Sequence, residues 1–264
     1  MAKIFCPKTA REAVELRKAN RETAVYLAGG TEALRLGSPC EGKDLIDLSE
    51  LGLDEILEKD GKIWIGARCS LQQMAESALV PDFLREAAGF CSSLVRRLSA
   101  TVGGNLGARR LNDGYLAAAL TAAEASLLCE TPHGEKSMSA AEYLTSDCVC
   151  LIRAVLVDKG RTGWVKRFGS TAASHAALIA AESEGICAAT VSGSGLIFMA
   201  KDFKSPKACC HPSEAAETSP SFYQTREEFL QALAGMEYAD DLTGSSEYKK
   251  YLAKTVFAEG GASK

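Results

Sequence analysis

The chain has 264 residues, of which 47% are hydrophobic and 24% charged, and its 30 Lys and Arg against 34 Asp and Glu leave a formal charge of −4. This balance excludes a disordered or low-complexity chain, and the absence of a basic field argues against a nucleic-acid binder. At about 150 residues per domain the length suits one large domain or two to three small ones. No apolar run reaches the roughly 18 residues of a membrane span. The start, Met1-Ala2-Lys3-Ile4-Phe5-Cys6-Pro7, lacks the apolar stretch of a secretory signal, so a soluble, cytoplasmic protein is expected.

Thr9 and Glu12 are spaced as a capping box and predict a helix to about residue 20. Ala24-Val25-Tyr26-Leu27-Ala28 reads as a buried strand that breaks at Gly29-Gly30-Thr31-Glu32, and Leu45-Ile46-Asp47-Leu48 as a second strand. That rhythm is expected of a small α/β unit. Asp60-Gly61 between Ile56-Leu57-Glu58 and Ile63-Trp64-Ile65 predicts a hairpin. Ser70 caps a helix, and Pro81 opens another at its first turn. An alanine-rich helix is predicted over 115–125, a strand over 126–130, a capping box at Ser139 and Glu142, and a long apolar strand over 148–157. Lys159-Gly160-Arg161-Thr162-Gly163 marks a boundary, beyond which 164–168, 186–191 and 196–200 read as strands. Residues 201–222, rich in Lys, Pro, Ser and Glu, read as an irregular loop. Helices over about 225–234, capped by Thr225 with Glu228, and about 247–257 close the chain.

The ten cysteines lie at 6, 40, 69, 91, 129, 148, 150, 187, 209 and 210. None makes a Cys-x-x-Cys pair, so a disulfide framework or a four-cysteine zinc site is not expected. Free thiols acting as small buried hydrophobes are. Cys209-Cys210-His211 and Cys148-Val149-Cys150 are the two clusters at which a metal or iron–sulfur cluster stays open.

Two segments share one design. Leu27-Ala28-Gly29-Gly30-Thr31 and Ala100-Thr101-Val102-Gly103-Gly104-Asn105 each set paired glycines beside a threonine. Glycine permits positive φ and close backbone approach, and consecutive N–H groups in such turns form a nest that favours phosphate. Either loop alone can be a simple turn; two suit a diphosphate clasped from both sides. Neither Gly-x-Gly-x-x-Gly nor a P-loop is present, and no nucleophile–histidine arrangement reads as a triad.

These residues resemble the FAD-binding subunit of molybdenum hydroxylases, the group of xanthine dehydrogenase and carbon monoxide dehydrogenase. Ala28-Gly29-Gly30-Thr31-Glu32 resembles that family's first flavin loop, and Val95-Arg96 with Ala100-Thr101-Val102-Gly103-Gly104-Asn105 its second. Asp240-Asp241-Leu242-Thr243-Gly244-Ser245 followed by Tyr248-Lys249-Lys250-Tyr251-Leu252-Ala253 resembles the start of its C-terminal helix. The resemblance spans nearly the whole chain. It implies an α+β fold in which two small α/β subdomains, residues 1–54 and 55–160, clasp FAD. A C-terminal subdomain, 161–264, would carry an antiparallel sheet and helices.

The same resemblance implies FAD contacts from Leu27, Ala28, Gly29, Gly30, Thr31 and Glu32, and from Thr101, Gly103, Gly104 and Asn105. It adds Asp113 after the second loop, Leu151 against the flavin and Lys166 early in the third subdomain. It implies no catalytic acid or base and no metal ligand in this chain. Electrons would come from a molybdopterin-binding large subunit through a 2Fe-2S small subunit and leave to NAD or another acceptor.

The stretch Leu106-Gly107-Ala108-Arg109-Arg110-Leu111-Asn112-Asp113 departs from the family's Ala-Ser-Pro-x-x-Asp. Its arginines read as a solvated turn, or as partners of a phosphate or nicotinamide nucleotide. The Arg-Arg-x-x-x-Asp pattern that often follows the lysine is absent. Two other functions stay open: a stand-alone flavoprotein oxidoreductase, and an assembly or structural subunit without flavin.

Overall fold

The structure is a computed structural model that describes residues 2–109, 114–146, 148, 150–199 and 221–258. The first sheet is parallel and three-stranded. It contains β1 (Ile4–Phe5), β2 (Ala24–Leu27) and β3 (Asp44–Asp47) in the order β1-β3-β2. Helix α1 (Ala10–Ala19) begins where the sequence places it, with Thr9 Oγ1 accepting from Glu12 N–H at 3.1 Å. The Glu12 carboxylate reaches one residue further back than a capping box would have it, to Lys8 N–H at 2.8 Å. Ala13 and Val14 bury against Ala24, Ile46, Leu48 and, from far along the chain, Leu151.

The second sheet is antiparallel. It contains β4 (Ile56–Lys59), β5 (Lys62–Gly66), β6 (Ser126–Thr131), β7 (Gly134–Ser139) and β8 (Leu151–Asp158) in the order β4-β5-β8-β6-β7. The hairpin at Asp60-Gly61 forms with both residues in the left-handed region, φ 52° and 73°, the geometry a two-residue hairpin of this twist requires. Between β5 and β6 run α2 (Leu71–Glu76), α3 (Asp82–Gly89), α4 (Leu94–Ser99), α5 (Val102–Gly107) and α6 (Ala117–Ala122). Ser70 caps α2 with a reciprocal box, and Ser139 does the same for α7 (Ala140–Thr145). Pro81 stands at the cap of α3 rather than inside its first turn.

The third sheet contains β9 (Trp164–Phe168), β10 (Leu178–Ser183), β11 (Ile186–Val191), β12 (Gly195–Met199) and β13 (Ser221–Tyr223). Its order is β13-β12-β11-β10-β9, antiparallel except for the parallel β12–β13 pair. Helices α8 (Arg226–Gly235) and α9 (Ser246–Thr255) follow. The predicted loop over 201–222 ends in β13; its residues 201–220 lie outside the described part, as do Cys209, Cys210 and His211.

Strand β10 escapes sequence reading because both of its faces are covered. Ile179 and Ala181 enter the core of the second sheet, while Ala177, Leu178 and Ala180 enter a separate core under α8 and α9. A strand buried on both faces shows no alternation. Helix α6 is alanine-rich for a related reason. Its residues are buried to a few per cent or less, and it packs on β10, β11 and β12 as well as on α3 and α7. One core therefore runs without a break across residue 160.

Arg161 pins this junction. Its side chain is 7% exposed and donates through Nε to Ser183 Oγ at 3.1 Å and through a terminal nitrogen to Glu124 at 2.7 Å. Arg161→Met is expected to remove about 2 kcal/mol, since a lost charged hydrogen bond to a half-exposed acid is worth about that much. Thermal denaturation would show a Tm lower by about 4–8 °C at this chain size; an unchanged Tm would refute the pin. Among the described residues no helix is long and apolar enough to cross a membrane.

Candidate cofactor-binding site

The loop after β2, the end of β5, the start of α5, the segment after α7 and the start of β8 converge on one cleft of about 410 Å³. That is within the roughly 300–1,000 Å³ of small-molecule and cofactor sites. Ala28, Gly29, Gly30, Thr31 and Glu32 line one side. Gly29 has no room for a side chain, because a Cβ would stand 1.6 Å from the Ser99 carbonyl oxygen at the end of α4. Gly30 takes φ +73°, which lets the chain turn sharply out of β2. Glu32 is paired with Arg35 at 3.2 Å. Leu27 stays in β2, its carbonyl accepting from Leu48 N–H at 2.9 Å, and supports the loop from outside the lining.

The second loop works differently from the phosphate nest its sequence suggests. Thr101 is the N-cap of α5. Val102 N–H donates to the Cys69 carbonyl at 2.9 Å, Gly103 N–H to the Ala67 carbonyl at 2.8 Å, and Gly104 N–H to Thr101 Oγ1 at 3.1 Å. These donors are committed inside the protein. The glycines serve instead as thin walls. A Cβ on Gly103 would lie 2.7 Å from Ala67 Cβ, and Gly104 and Gly107 present bare backbone to the cleft. The Thr101 hydroxyl, which accepts from Gly104, still has its hydrogen to donate.

Asn105 lies beside the cleft, in a small hollow shared with Thr31, Glu32, Arg96 and Tyr115. Its Oδ1 accepts from Leu116 N–H at 3.2 Å and so anchors the approach to α6. Leu151, 3% exposed, forms the apolar floor with Ile152. Lys166 does not join the others: it lies on β9 outside the cleft lining, its Nζ 5.7 Å from the Trp164 ring. Asp113 lies outside the described residues, as does Arg110.

Arg109 lines the cleft instead of standing in a solvated turn. Its guanidinium stacks on the Tyr143 ring at 4.7 Å and donates to the carbonyls of Ser146 and, at 2.9 Å, Cys148. It is a clamp that holds the segment after α7 against the second loop. Tyr143 is buried, and that burial drives its hydroxyl far above the ordinary tyrosine range. Burial raises Tyr26, another lining residue, in the same way.

Sequence reading missed Arg17, Tyr26, Arg68 and Tyr143 as lining residues, and raised Arg109 only as one of two alternatives and Cys148 and Cys150 only as a metal cluster. Arg68 donates one terminal nitrogen to the Ser49 carbonyl at 2.7 Å. Its Nε is buried with no hydrogen-bond partner among the described residues. An orphaned guanidinium donor beside bare-glycine walls and an apolar floor suits a group with an anionic part and a flat apolar part, which FAD has. Among the described residues no group of three or more His, Cys, Asp or Glu side chains is placed to hold a metal ion.

Residues 1–156 match the family described as "FAD binding domain in molybdopterin dehydrogenase". The chain is 27% identical over 258 residues to the "Uncharacterized protein YgfM" of Escherichia coli (strain K12), covering 97% of this chain and 93% of that protein. Among solved structures, carbon monoxide dehydrogenase from Hydrogenophaga pseudoflava superposes with a TM-score of 0.73 at 23% identity, over 96% of this chain and 93% of the other. Quinoline 2-oxidoreductase from Pseudomonas putida 86 superposes with a TM-score of 0.73 at 18% identity, over 97% and 94%. These two likenesses speak for the fold.

Proposed function

The chain belongs to the family of the FAD binding domain in molybdopterin dehydrogenase, and on that premise we propose that it is the electron-transfer subunit of a multi-subunit molybdenum-containing dehydrogenase. It would work beside a molybdopterin-binding large subunit and a 2Fe-2S small subunit and pass electrons to NAD or another acceptor. The observation that carries this reading is the cleft itself, open and walled by the two glycine loops. FAD supplies the redox chemistry when bound there, and the chain supplies binding, orientation and electrostatics.

In this reading the loop from Leu27 to Glu32 wraps the pyrophosphate, with Arg68 Nε and the Thr101 hydroxyl as donors. Gly103 and Gly104 let the cofactor lie close, Asn105 holds the second wall in place, and Leu151 with Ile152 packs against the ring. Residues 1–54 and 55–160 form the two halves of the clasp, and 161–264 buttress the second half through their shared core. An assembly subunit without flavin would have no use for so open a cleft.

Affinity purification from the native cells, followed by molybdenum and iron analysis of the purified material, tests the relay. Co-purification of both metals with the chain is expected. A chain that comes out alone, with FAD and with an oxidoreductase activity of its own, would replace the relay by a stand-alone flavoprotein. Gly104→Val is expected to weaken FAD binding by about tenfold or more. Its Cβ would lie 2.7 Å from Thr101 Oγ1, which breaks a cap worth about 1 kcal/mol and fills the wall. Titration of the apoprotein with FAD checks this; wild-type affinity would reject the placement.

A further inference from the structure

Cofactor binding leaves an apolar surface beside the cleft without a task. Helix α4 buries none of its six residues. A surface helix ordinarily turns its apolar side to the core, and this one does the reverse. Arg97 holds it in place, Nε donating to Gln72 Oε1 at 2.7 Å and a terminal nitrogen to the Cys91 carbonyl at 2.7 Å. Leu94, Val95 and Leu98 lie on one side of the helix and are half or more exposed, Val95 by 74%. Leu34 and Leu36, in the segment that leaves the first glycine loop, are more than half exposed, Leu36 by 85%. The loop joins the two parts: Gly29 lies against the Ser99 carbonyl at the end of α4, and Gly30 against the Leu34 side chain. Five aliphatic side chains exposed to this degree present about 500 Å² of apolar surface, the size of the largest patch on a typical monomer and often a functional one. The patch is also basic. Glu32 is taken by Arg35, whereas Arg97 is held by neutral groups and Arg96, exposed beside Val95, makes no ion pair among the described residues. These positive charges stand together on a chain whose net charge is −4.

We propose that this surface, α4 with Leu34 and Leu36, is where the electron-delivering subunit docks, through an apolar face that carries carboxylates opposite Arg96 and Arg97. The proposal rests on the relay reading above. Electron transfer falls off steeply with distance, so the donor has to seat beside the cofactor. The patch borders the loop from Gly29 to Glu32, which lines the cleft, and Arg96 shares a small hollow with Thr31 and Glu32 of that loop. About 500 Å² of apolar surface suits the centre of an interface of about 800 Å² per side. A second copy of this chain fits less well, because a two-fold contact sets the same patch on itself and brings its arginines against each other.

The test uses the complex purified from native cells through an affinity tag on this chain and assayed for FAD, iron and molybdenum. Val95→Glu combined with Leu98→Glu is expected to lower iron and molybdenum per FAD at least about tenfold, because two charges would be buried at the centre of the interface. FAD per chain should stay at the wild-type level. Leu242→Glu, at a wholly exposed site on the turn before α9, should leave all three unchanged. Raising the salt should loosen the wild-type complex, and Arg96→Glu should loosen it already at low salt. A double variant that keeps its full iron and molybdenum overturns the proposal. So does a double variant that also loses FAD, since the charges would then act through the glycine loop. A free chain that is dimeric in light scattering and monomeric in the double variant, with the metal content unchanged, gives the patch to a second copy instead. A wild-type chain that purifies with FAD and with neither metal removes the relay reading and the proposal with it.

Discussion

Gly29→Val is expected to abolish measurable FAD binding, lowering affinity at least about hundredfold, which is about 2.7 kcal/mol, while leaving most of the chain folded. The added Cβ would sit 1.6 Å from the Ser99 carbonyl oxygen. No rotamer relieves this, since the clash involves the first side-chain atom and a backbone oxygen. Either the loop leaves α4 or the end of α4 leaves the loop, and overpacking of this kind typically costs about 1–3 kcal/mol. The first movement displaces Thr31 and Glu32 and the second displaces Thr101, so either one disturbs a wall of the cleft. The core under α8 and α9 is built from other residues, so far-UV circular dichroism should stay near wild type while FAD titration collapses. Wild-type FAD affinity in Gly29→Val would show that the first loop does not touch the cofactor.

The second large effect lies far from the cleft. Lys249 on α9 is fully buried, and its Nζ is 2.7 Å from Asp241 Oδ2 and 2.8 Å from the Ala239 carbonyl. Asp241 also accepts from Ser192 Oγ at 2.7 Å and from Thr243 N–H at 2.7 Å. Lys249→Met keeps the apolar stem and removes the charge, leaving the Ala239 carbonyl without its donor and Asp241, 30% exposed, to water, Ser192 and Thr243. Losing these charged hydrogen bonds costs about 1.5–3 kcal/mol, which at this chain size lowers Tm by about 3–12 °C. A Tm within a degree or two of wild type would refute the assignment.

The Asp241 network also sets a pH dependence. Burial opposes ionisation of Asp241, but hydrogen bonds from Lys249, Thr243 and Ser192 outweigh it and hold the carboxyl well below the usual range. A folded-state value below the unfolded one contributes stability that is present above the unfolded value, about 3.9, and is lost as pH falls toward the folded one. Acid denaturation of the wild type should therefore be steeper below about pH 4 than that of Lys249→Met, in which the carboxylate has lost its main partner.

The elements announced by local chemistry were legible in the sequence. Asp60-Gly61 made the hairpin, and Ser70, Ser139 and Thr225 capped α2, α7 and α8 as their spacing predicts. The paired glycines located the cleft, because close approach leaves a mark in composition. What they do there was not legible. The N–H groups of Val102 and Gly103 are taken by carbonyls at the end of β5, partners that only the tertiary fold supplies. Arg109 read as solvated or phosphate-bound because nothing local shows that Ser146 and Cys148 carbonyls lie beside it. Arg68 reaches the cleft from the turn after β5, and Cys148 and Cys150 from the segment between α7 and β8, so no spacing rule joins them to the glycine loops. Lys166 shows the converse: its strand was read correctly, and its side chain lies outside the cleft.

The FAD content of the purified chain, set beside that of Gly104→Val, tests most directly whether the cleft between the glycine loops holds the cofactor. FAD released on denaturation and quantified against protein should approach one per wild-type chain and fall to a small fraction in the variant. A colourless wild-type chain that takes up no added FAD, or a Gly104→Val chain that retains its full complement, would contradict it.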